Sequence, residues 1–352
     1  MALTLIPDSI FSPTSFASVL TNSEELPAIF VKEQITRVNS YLNLEFQLHK
    51  NSRGLIKIRT EFIDFLLQTL WKKYECDKLD HALIACGGYG RRELFPHSDL
   101  DILILLGDRD KKELKEIEDF ITALWDLGLH LGHSVRDAKE CEEKAVSDIT
   151  VLTNLMESRP IFDPDNSLEK VLSLTGGEHM WPSDSFFNEK LEEQRSRHEK
   201  YADTEYNLEP NVKSSPGGLR DIQFIGWIAE RFLGVNSLEE VFKHKFISEE
   251  DAQTLISGQD FLWDVRYALH ILAAREEDRL LFDYQRQLAE SWGYTDGNRL
   301  AVEKFMQAYY RCALAIGRLN EMLVLHFEQA KFQTKTKDLI KKIDDHFVNR
   351  NG

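Results

Sequence analysis

The chain has 352 residues, a length that at roughly 150 residues per domain predicts about two domains, each with enough chain to bury a core. Hydrophobic residues make up 42% of it and charged residues 29%, as in an ordinary globular protein. The formal net charge of −16 argues against general binding to nucleic acid or to an anionic membrane, because both need clustered Lys and Arg.

The spacing of the cysteines and the N-terminal residues indicate the cellular compartment of the protein. The four cysteines form no CxxC pair and have no histidine at zinc-site spacing: Cys76, Cys86, Cys141 and Cys312. The N-terminus lacks the basic and apolar regions of a signal peptide, and no apolar run reaches the roughly 18 residues of a membrane span. We therefore predict a cytoplasmic protein with reduced thiols and with neither nucleic acid nor membrane as a partner.

The first part of the chain predicts two helices. Residues 1–50 are interpreted as an N-terminal accessory segment with a helix from Ala28 to His49. Six apolar residues then recur at helical spacing: Leu55, Ile58, Phe62, Phe65, Leu66 and Leu70. This periodicity predicts an amphipathic helix that leads into the first strand.

The stretch from Ala82 to Leu106 predicts two strands joined by a glycine-containing turn. The apolar run Ala82–Cys86 is long enough for a buried strand, and the pair Gly87-Gly88 ends it. A second, stronger apolar run begins at Leu100.

Asp99 and Asp101 lie at the start of the second strand. Because side chains alternate across a strand, both carboxylates should lie on one face while Leu100 and Ile102 point into a core. Two neighbouring carboxylates repel each other unless a cation lies between them, and Mg²⁺ prefers hard oxygen ligands. The pattern therefore predicts Asp99 and Asp101 as the metal ligands and catalytic residues of a magnesium site.

The residues around this pair favour phosphate binding. Gly87 and Gly88 expose backbone N–H groups with no Cβ in the way, Ser98 adds a hydroxyl donor, and Arg91 adds positive charge. Taken singly, the glycine pair is typical of a tight turn and the arginine of a solvated surface. The combination with two aspartates at a strand start favours a nucleotide site, because Asp is depleted in strands.

The following elements complete a predicted fold. A helix is expected from about Asp110 to Asp126, a third strand from Leu127 to Val135, and a helix with an edge strand between Ser147 and Asp163. This order predicts an α/β (α+β) core with a mixed sheet. The stretch 176–184 is rich in turn-forming residues and predicts a domain boundary, beyond which the chain should be mainly helical.

The loop from Asn207 to Arg220 is the second informative stretch. It ends in Gly217-Gly218 just before a helix that should start near Asp221, so free N–H donors and the helix dipole could bind an anion, with Lys213 and Arg220 adding charge. The alternative is an ordinary capped helix with Asp221 in its first turn. Further on, three charged residues predict a surface network, with nucleotide contacts as the open alternative: Arg275, Asp278 and Arg279.

Four sequence blocks resemble a known family. GGYGRREL followed by PHSDLD resembles the motif of the DNA-polymerase-β-like nucleotidyltransferase superfamily. Within that superfamily, the residues of this motif most resemble those of the PII uridylyltransferase/uridylyl-removing enzymes of bacterial nitrogen control. The other blocks are LWDLGLHLGHSVR at 124–136, YNLEPNVKSSPGGLRDIQ at 206–223 and RLLFD at 279–283.

The resemblance implies a magnesium-dependent transfer of UMP from UTP to a tyrosine hydroxyl of the PII signalling protein. It favours nucleotide contacts by Gly87, Gly88, Arg91, Ser98, Lys213, Gly217, Gly218 and Arg220. It also implies a nucleotidyltransferase core at 51–175 and a helical domain at 185–335 that completes the nucleotide and substrate site. Residues 336–352 are then the start of a linker to an HD phosphohydrolase domain. None of the 11 histidines is followed by Asp, so we expect this chain to lack that domain.

One position departs from the family pattern. Uridylyltransferases frequently place Glu, as a third acid, where this chain has His130, which does not suit Mg²⁺. Either two carboxylates suffice, or Asp148 or Glu157 supplies a third. Two rival functions remain open at this point: a nucleotidyltransferase that acts on RNA ends or small molecules, and a catalytically silent nucleotide-binding module.

Overall fold

The computed structural model describes residues 5–108, 114–176, 180–201, 207–234, 247–297, 299–333, 340–342 and 348–350. The chain forms two compact units. Unit 1 comprises Met1–Pro182 and Asp260–Leu288, and unit 2 comprises Ser183–Gln259 and Ala289–Gly352. In the described part of the chain, no helix combines the length and apolar character that crossing a lipid bilayer requires.

Three helices precede the sheet: α1 (Pro13–Asn22), α2 (Ala28–His49) and α3 (Ser52–Lys73). The predicted bounds of α2 are confirmed, and α3 contains the predicted amphipathic residues. The buried faces of all three helices share one core cluster, whose members include Phe16, Val31, Val38, Phe62 and Leu66. The first 50 residues therefore supply part of the core of unit 1.

A mixed four-stranded sheet forms the centre of unit 1, with the strand order β3-β2-β1-β4. Its strands are β1 (Ala82–Ala85), β2 (Leu100–Leu105), β3 (Leu131–Arg136) and β4 (Arg159–Phe162). β1 pairs antiparallel with both β2 and β4, whereas β2 pairs parallel with β3. The predicted mixed sheet and its edge strand are confirmed.

Five short helices accompany the sheet: α4 (Gly87–Gly90), α5 (Lys115–Asp126), α6 (Ala138–Ser147), α7 (Ile149–Met156) and α8 (Ser167–Leu174). Asp137 forms a capping box at the start of α6, and Asp148 caps α7. The predicted helix from Asp110 is confirmed from Lys115 onward, and residues 109–113 lie outside the described chain.

The chain after Pro182 is mainly helical, as predicted. In the described residues its helices are α9 (Ser183–Glu199), α10 (Leu219–Leu233), α11 (Glu249–Ala273), α12 (Phe282–Ser291) and α13 (Ala301–Gln333), followed by the antiparallel strands β5 (Ile340–Lys342) and β6 (Val348–Arg350). Residues 260–288 cluster with unit 1, which the predicted boundaries did not anticipate. The domain bounds, including the linker at 336–352, stay predictions.

Candidate functional site

The first glycine pair forms the start of α4, a single helical turn that follows β1. Gly87 has a φ of 54°, a conformation that glycine adopts without a steric cost. The N–H of Cys86 donates to the Asp101 carbonyl (2.9 Å), which ties the turn to β2. Within the part of the chain that the structure describes, the N–H groups of Gly87 and Gly88 donate no hydrogen bond. The turn therefore keeps two backbone donors for an outside acceptor.

Asp99 and Asp101 lie at the start of β2, next in the sheet to this turn. Both side chains are exposed, whereas Leu100 and Ile102 are 5% and 2% exposed. The predicted alternation is confirmed. Asp101 belongs to the hydrogen-bonded ladder of β2, but Asp99 precedes the strand.

Two glycines flank the carboxylate of Asp101. A Cβ added to Gly87 would lie 3.3 Å from Asp101 Oδ2, and one added to Gly132 would collide with Oδ1. Gly132 is the residue that pairs with Asp101 between β2 and β3. The sequence places Gly132 inside the predicted third strand, but the pairing register that brings it to Asp101 is not visible in the chain order.

These residues fit a magnesium ion bound together with phosphate. Asp99 and Asp101 offer hard carboxylate oxygens, and Mg²⁺ typically takes one or two carboxylates while water and substrate phosphates fill its other positions. Among the described residues, no group of three or more His, Cys, Asp and Glu side chains is arranged to hold a metal. The described chain thus offers a pair of carboxylates and not a larger cluster.

The candidates for a third acid have other roles. The Glu157 carboxylate pairs with Arg91 Nη1 at 2.6 Å and is 5% exposed. Asp148 accepts from the Thr150 N–H at 2.7 Å as the cap of α7. The His130 side chain is exposed, and its carbonyl accepts from the Leu100 N–H at 2.8 Å.

Arg91 and Ser98, both predicted to contact phosphate, take part in local contacts. Arg91 pairs with Glu93 (2.8 Å) as well as with Glu157. Burial would lower the pKa of Arg91, but these two carboxylates raise it above its ordinary value. Ser98 Oγ accepts from the Phe95 N–H at 3.2 Å. Arg91 thus joins the turn to the end of α7, and its phosphate contact stays a prediction.

The second glycine pair, in unit 2, does not offer free amides. Gly217 N–H donates to Asp221 Oδ2 (2.8 Å), and Gly218 N–H donates to the Ser215 carbonyl (2.9 Å). The prediction of unpaired donors at this helix start is therefore wrong, because Asp221 in the first turn of α10 accepts from the turn itself. Arg220 lies 5.5 Å from the Trp227 ring and its N–H donates to the Lys213 carbonyl; nucleotide contacts by Lys213 and Arg220 stay predictions.

Asp221 is the centre of a buried polar network. Its Oδ1 accepts from Gln194 Nε2 (3.1 Å) and Arg197 Nη2 (2.8 Å), and it lies 2.9 Å from His198 Nε2. Burial alone would raise the pKa of Asp221, but the hydrogen bond from His198 and the charge of Arg197 lower it below its ordinary value. The sequence indicated Asp221 only as a helix cap, since its partners lie more than 20 residues earlier on α9.

A cavity of about 500 Å³ opens beside this network within unit 2. Its lining includes Gln194, His198, Gly217, Asp221, Asn320 and Glu321. The second predicted stretch therefore borders a cavity with polar walls.

The chain matches one family of proteins over part of its length and is similar to several curated proteins. Residues 185–324 match the family described as GlnD PII-uridylyltransferase. A protein of Pseudomonas aeruginosa named bifunctional uridylyltransferase/uridylyl-removing enzyme is 47% identical over 329 residues, covering 93% of this chain and 37% of the relative. A protein of the same name from Azotobacter vinelandii is 46% identical over 350 residues, covering 98% of this chain and 39% of the relative. The resemblance to the PII-uridylyltransferase family is confirmed.

The chain spans less than two-fifths of the length of these curated relatives. The match to the PII-uridylyltransferase family includes the second glycine pair and Asp221, but the turn at Gly87 and the two aspartates of β2 lie before it. One candidate stretch thus lies within the region that matches the family model, and the other lies in the mixed-sheet part of the chain before it.

Proposed function

We propose that this chain transfers UMP from UTP to a tyrosine hydroxyl of the PII signalling protein, with magnesium as cofactor and pyrophosphate as the second product. One observation carries the proposal. The exposed carboxylates of Asp99 and Asp101 lie at the start of β2, beside a glycine turn whose two amides have no partner in the described chain. The identity to uridylyltransferase/uridylyl-removing enzymes supports UTP and PII as the substrates.

The residues of the proposed site would hold the metal, hold the phosphates and accept a proton. Asp99 and Asp101 would hold Mg²⁺, which when bound offsets the negative charge that develops on the phosphates. The amides of Gly87 and Gly88 would donate to the β- and γ-phosphate oxygens, and the Ser98 hydroxyl would add a further donor. Fixed donors of this kind favour the transferring group without reorganising during the reaction.

The acceptor hydroxyl must also lose a proton. Tyrosine has a pKa near 10 and is mostly protonated at neutral pH, so its oxygen needs a base as it attacks the α-phosphorus. We assign this role to a carboxylate oxygen of Asp101. The new bond joins the tyrosine oxygen to the α-phosphorus, and the bond to the leaving pyrophosphate breaks.

The experiment replaces each aspartate with asparagine and measures the intact mass of PII after incubation with UTP and Mg²⁺. Asp99→Asn and Asp101→Asn should each slow the addition of one uridylyl group by about 100-fold or more, as is typical when a group that stabilises transition-state charge is lost. Thermal unfolding should stay unchanged, since both side chains are exposed. Removing Mg²⁺ with a chelator should abolish the addition.

Asp8→Asn provides the matched control, because Asp8 is an exposed carboxylate of unit 1 away from the turn and from β2. It should modify PII at the wild-type rate. If both site variants also modify PII at the wild-type rate, the assignment of the metal ligands is wrong.

The silent nucleotide-binding module is the second candidate. It is favoured by His130 in the usual acidic position and by the absence of a three-ligand group among the described residues. Metal-dependent binding of UTP by the wild-type chain, with no transfer to PII, RNA ends or small-molecule acceptors, would support it.

A further inference from the structure

The loop Phe95–Asp99 leads directly into β2, and one buried histidine outside the loop accepts a hydrogen bond from it. The loop closes on itself through the Ser98 N–H, which donates to the Phe95 carbonyl (3.2 Å). The His97 N–H donates to His270 Nδ1 (3.3 Å) on α11, and the His270 ring is fully buried. Both groups belong to unit 1.

The protonation of His270 suits this contact. Because Nδ1 accepts from the His97 amide, a neutral ring carries its proton on Nε2. Nε2 lies 3.6 Å from Asp278 Oδ1 and forms no hydrogen bond within the described residues. Burial lowers the pKa of His270 to about 4, so the ring is neutral at physiological pH.

Asp278 and Arg266 connect His270 to the loop through a second series of contacts. Arg266 Nε donates to Asp278 Oδ1 at 2.6 Å, and the guanidinium lies 4.4 Å from the centre of the Phe95 ring. The Asp278 side chain is 11% exposed, so this member of the predicted surface network is largely buried. The group of His270, Asp278 and Arg266 thus contacts the loop at two points, His97 and Phe95.

Asp99 needs such support more than Asp101 does. Asp101 is held by the strand pairing of β2, whereas Asp99 precedes the ladder. The Asp99 side chain is exposed and has no hydrogen-bond or ion-pair partner among the described residues. Its position therefore depends on the backbone of the loop.

We propose that His270, oriented by Asp278 and Arg266, is a positioning residue that fixes the Phe95–Asp99 loop so that Asp99 can bind the metal together with Asp101. The inference rests on the proposed function for its metal, but the hydrogen bond joins two groups of this chain and can be tested without a ligand. A ligand-free measurement of the loop can therefore separate the two proposals.

The test compares His270→Leu, which removes the acceptor, with His270→Asn, which keeps an acceptor near the position of Nδ1. Amide hydrogen exchange is followed at His97–Asp99 without ligands, and binding of Mn²⁺ together with UTP is measured by calorimetry. His270→Leu should speed exchange and weaken Mn²⁺–UTP binding by about five- to tenfold, the loss expected for one hydrogen bond. His270→Asn should recover most of both.

Tyr267→Phe is the matched control, since Tyr267 is buried one turn earlier on α11 and its hydroxyl contacts Asn43 and Arg59 rather than the loop. It should change neither measurement. Equal changes in Tyr267→Phe and His270→Leu, or unchanged exchange at His97 in both histidine variants, overturn the positioning role.

Transfer to PII, measured in parallel, tests the proposed function separately. A wild-type chain that modifies no PII contradicts the proposed function. If its loop exchange and Mn²⁺–UTP binding still depend on His270, the positioning role stands. Where His270→Leu fails to fold, Asp278→Asn takes its place, because it removes the charge that orients His270 and leaves the acceptor present.

Discussion

The two glycine pairs look alike in the sequence and differ in the structure. Gly87-Gly88 starts the short helix α4, and Gly217-Gly218 directly precedes α10. Each pair has arginine nearby, and each begins with a glycine of positive φ, 54° at Gly87 and 72° at Gly217. The amides of the first pair have no acceptor in the described chain, whereas those of the second donate to Asp221 and Ser215.

The steric surroundings of the two glycine pairs differ. A Cβ on Gly217 would collide with the Ala313 carbonyl of α13, so packing within unit 2 requires glycine there. A Cβ on Gly88 would meet nothing closer than the Arg91 guanidinium at 3.7 Å, which is an ordinary contact. Packing therefore explains why the second pair is glycine. Packing does not explain Gly88, and a ligand that approaches the backbone at this position would explain it.

Substitution of Asp221, the carboxylate beside the second glycine pair, should have the largest effect on stability. Asp221→Asn removes the charge that pairs with Arg197 inside unit 2, which leaves a buried cation uncompensated. The free energy of unfolding should fall by about 3–5 kcal/mol, as measured by urea denaturation. Asp251→Asn, a helix-start carboxylate of the same unit, should cost about 1 kcal/mol or less.

The same carboxylate should also govern stability in acid. The pKa of Asp221 is lower in the folded chain than the ordinary 3.8, so the folded state binds fewer protons than the unfolded state in acid. Its stabilisation is complete above the unfolded pKa and is lost as the pH falls through the folded pKa. Asp221→Asn should therefore show a smaller loss of stability below about pH 4 than the wild type. Equal acid profiles would contradict this role.

Gly217→Ala should have the next largest effect on stability. The substitution combines a positive φ with a collision against the α13 backbone, and we expect a loss of about 2 kcal/mol or more in the free energy of unfolding. Gly226→Ala provides the control, because a Cβ there meets nothing within 4 Å inside α10. The control should be neutral or stabilising, and similar losses in both variants would show that packing at Ala313 is not the cause.

Gly88→Ala should change the reaction while leaving the fold intact. The free energy of unfolding should stay within about 0.5 kcal/mol of the wild type, since the added methyl group meets only ordinary contacts. Uridylyl transfer should slow by about tenfold, because the methyl group lies where a phosphate would approach the amide. Both are measured on one preparation, by denaturation and by the mass of PII.

Gly54→Ala on α3 is the matched control for this last comparison, since nothing lies within 4 Å of the added methyl group. It should raise stability by about 0.5–1 kcal/mol and leave transfer unchanged. Wild-type transfer by Gly88→Ala would mean that this turn does not need glycine for its phosphate, and the contrast between the two pairs would lose its functional meaning.

The sequence by itself determined the elements and the local chemistry. Periodicity predicted α2 and α3 and the alternation at β2 that exposes Asp99 and Asp101, because these patterns repeat over neighbouring residues. The resemblance was visible for the same reason, since its blocks are continuous in the chain.

Only the tertiary structure decided which polar groups are already satisfied. Asp221 meets partners 23–27 residues earlier, Gly132 meets Asp101 through strand pairing, and His270 meets His97 from 173 residues away. Hydrogen bonds act over about 3 Å whatever the separation of the two residues along the chain. The N–H groups of two similar glycine pairs can therefore be satisfied in one place by a neighbouring residue and lack an acceptor in another. That difference, and not the glycine pattern, distinguishes a turn whose amides are satisfied by the fold from a turn whose amides have no acceptor among the described residues.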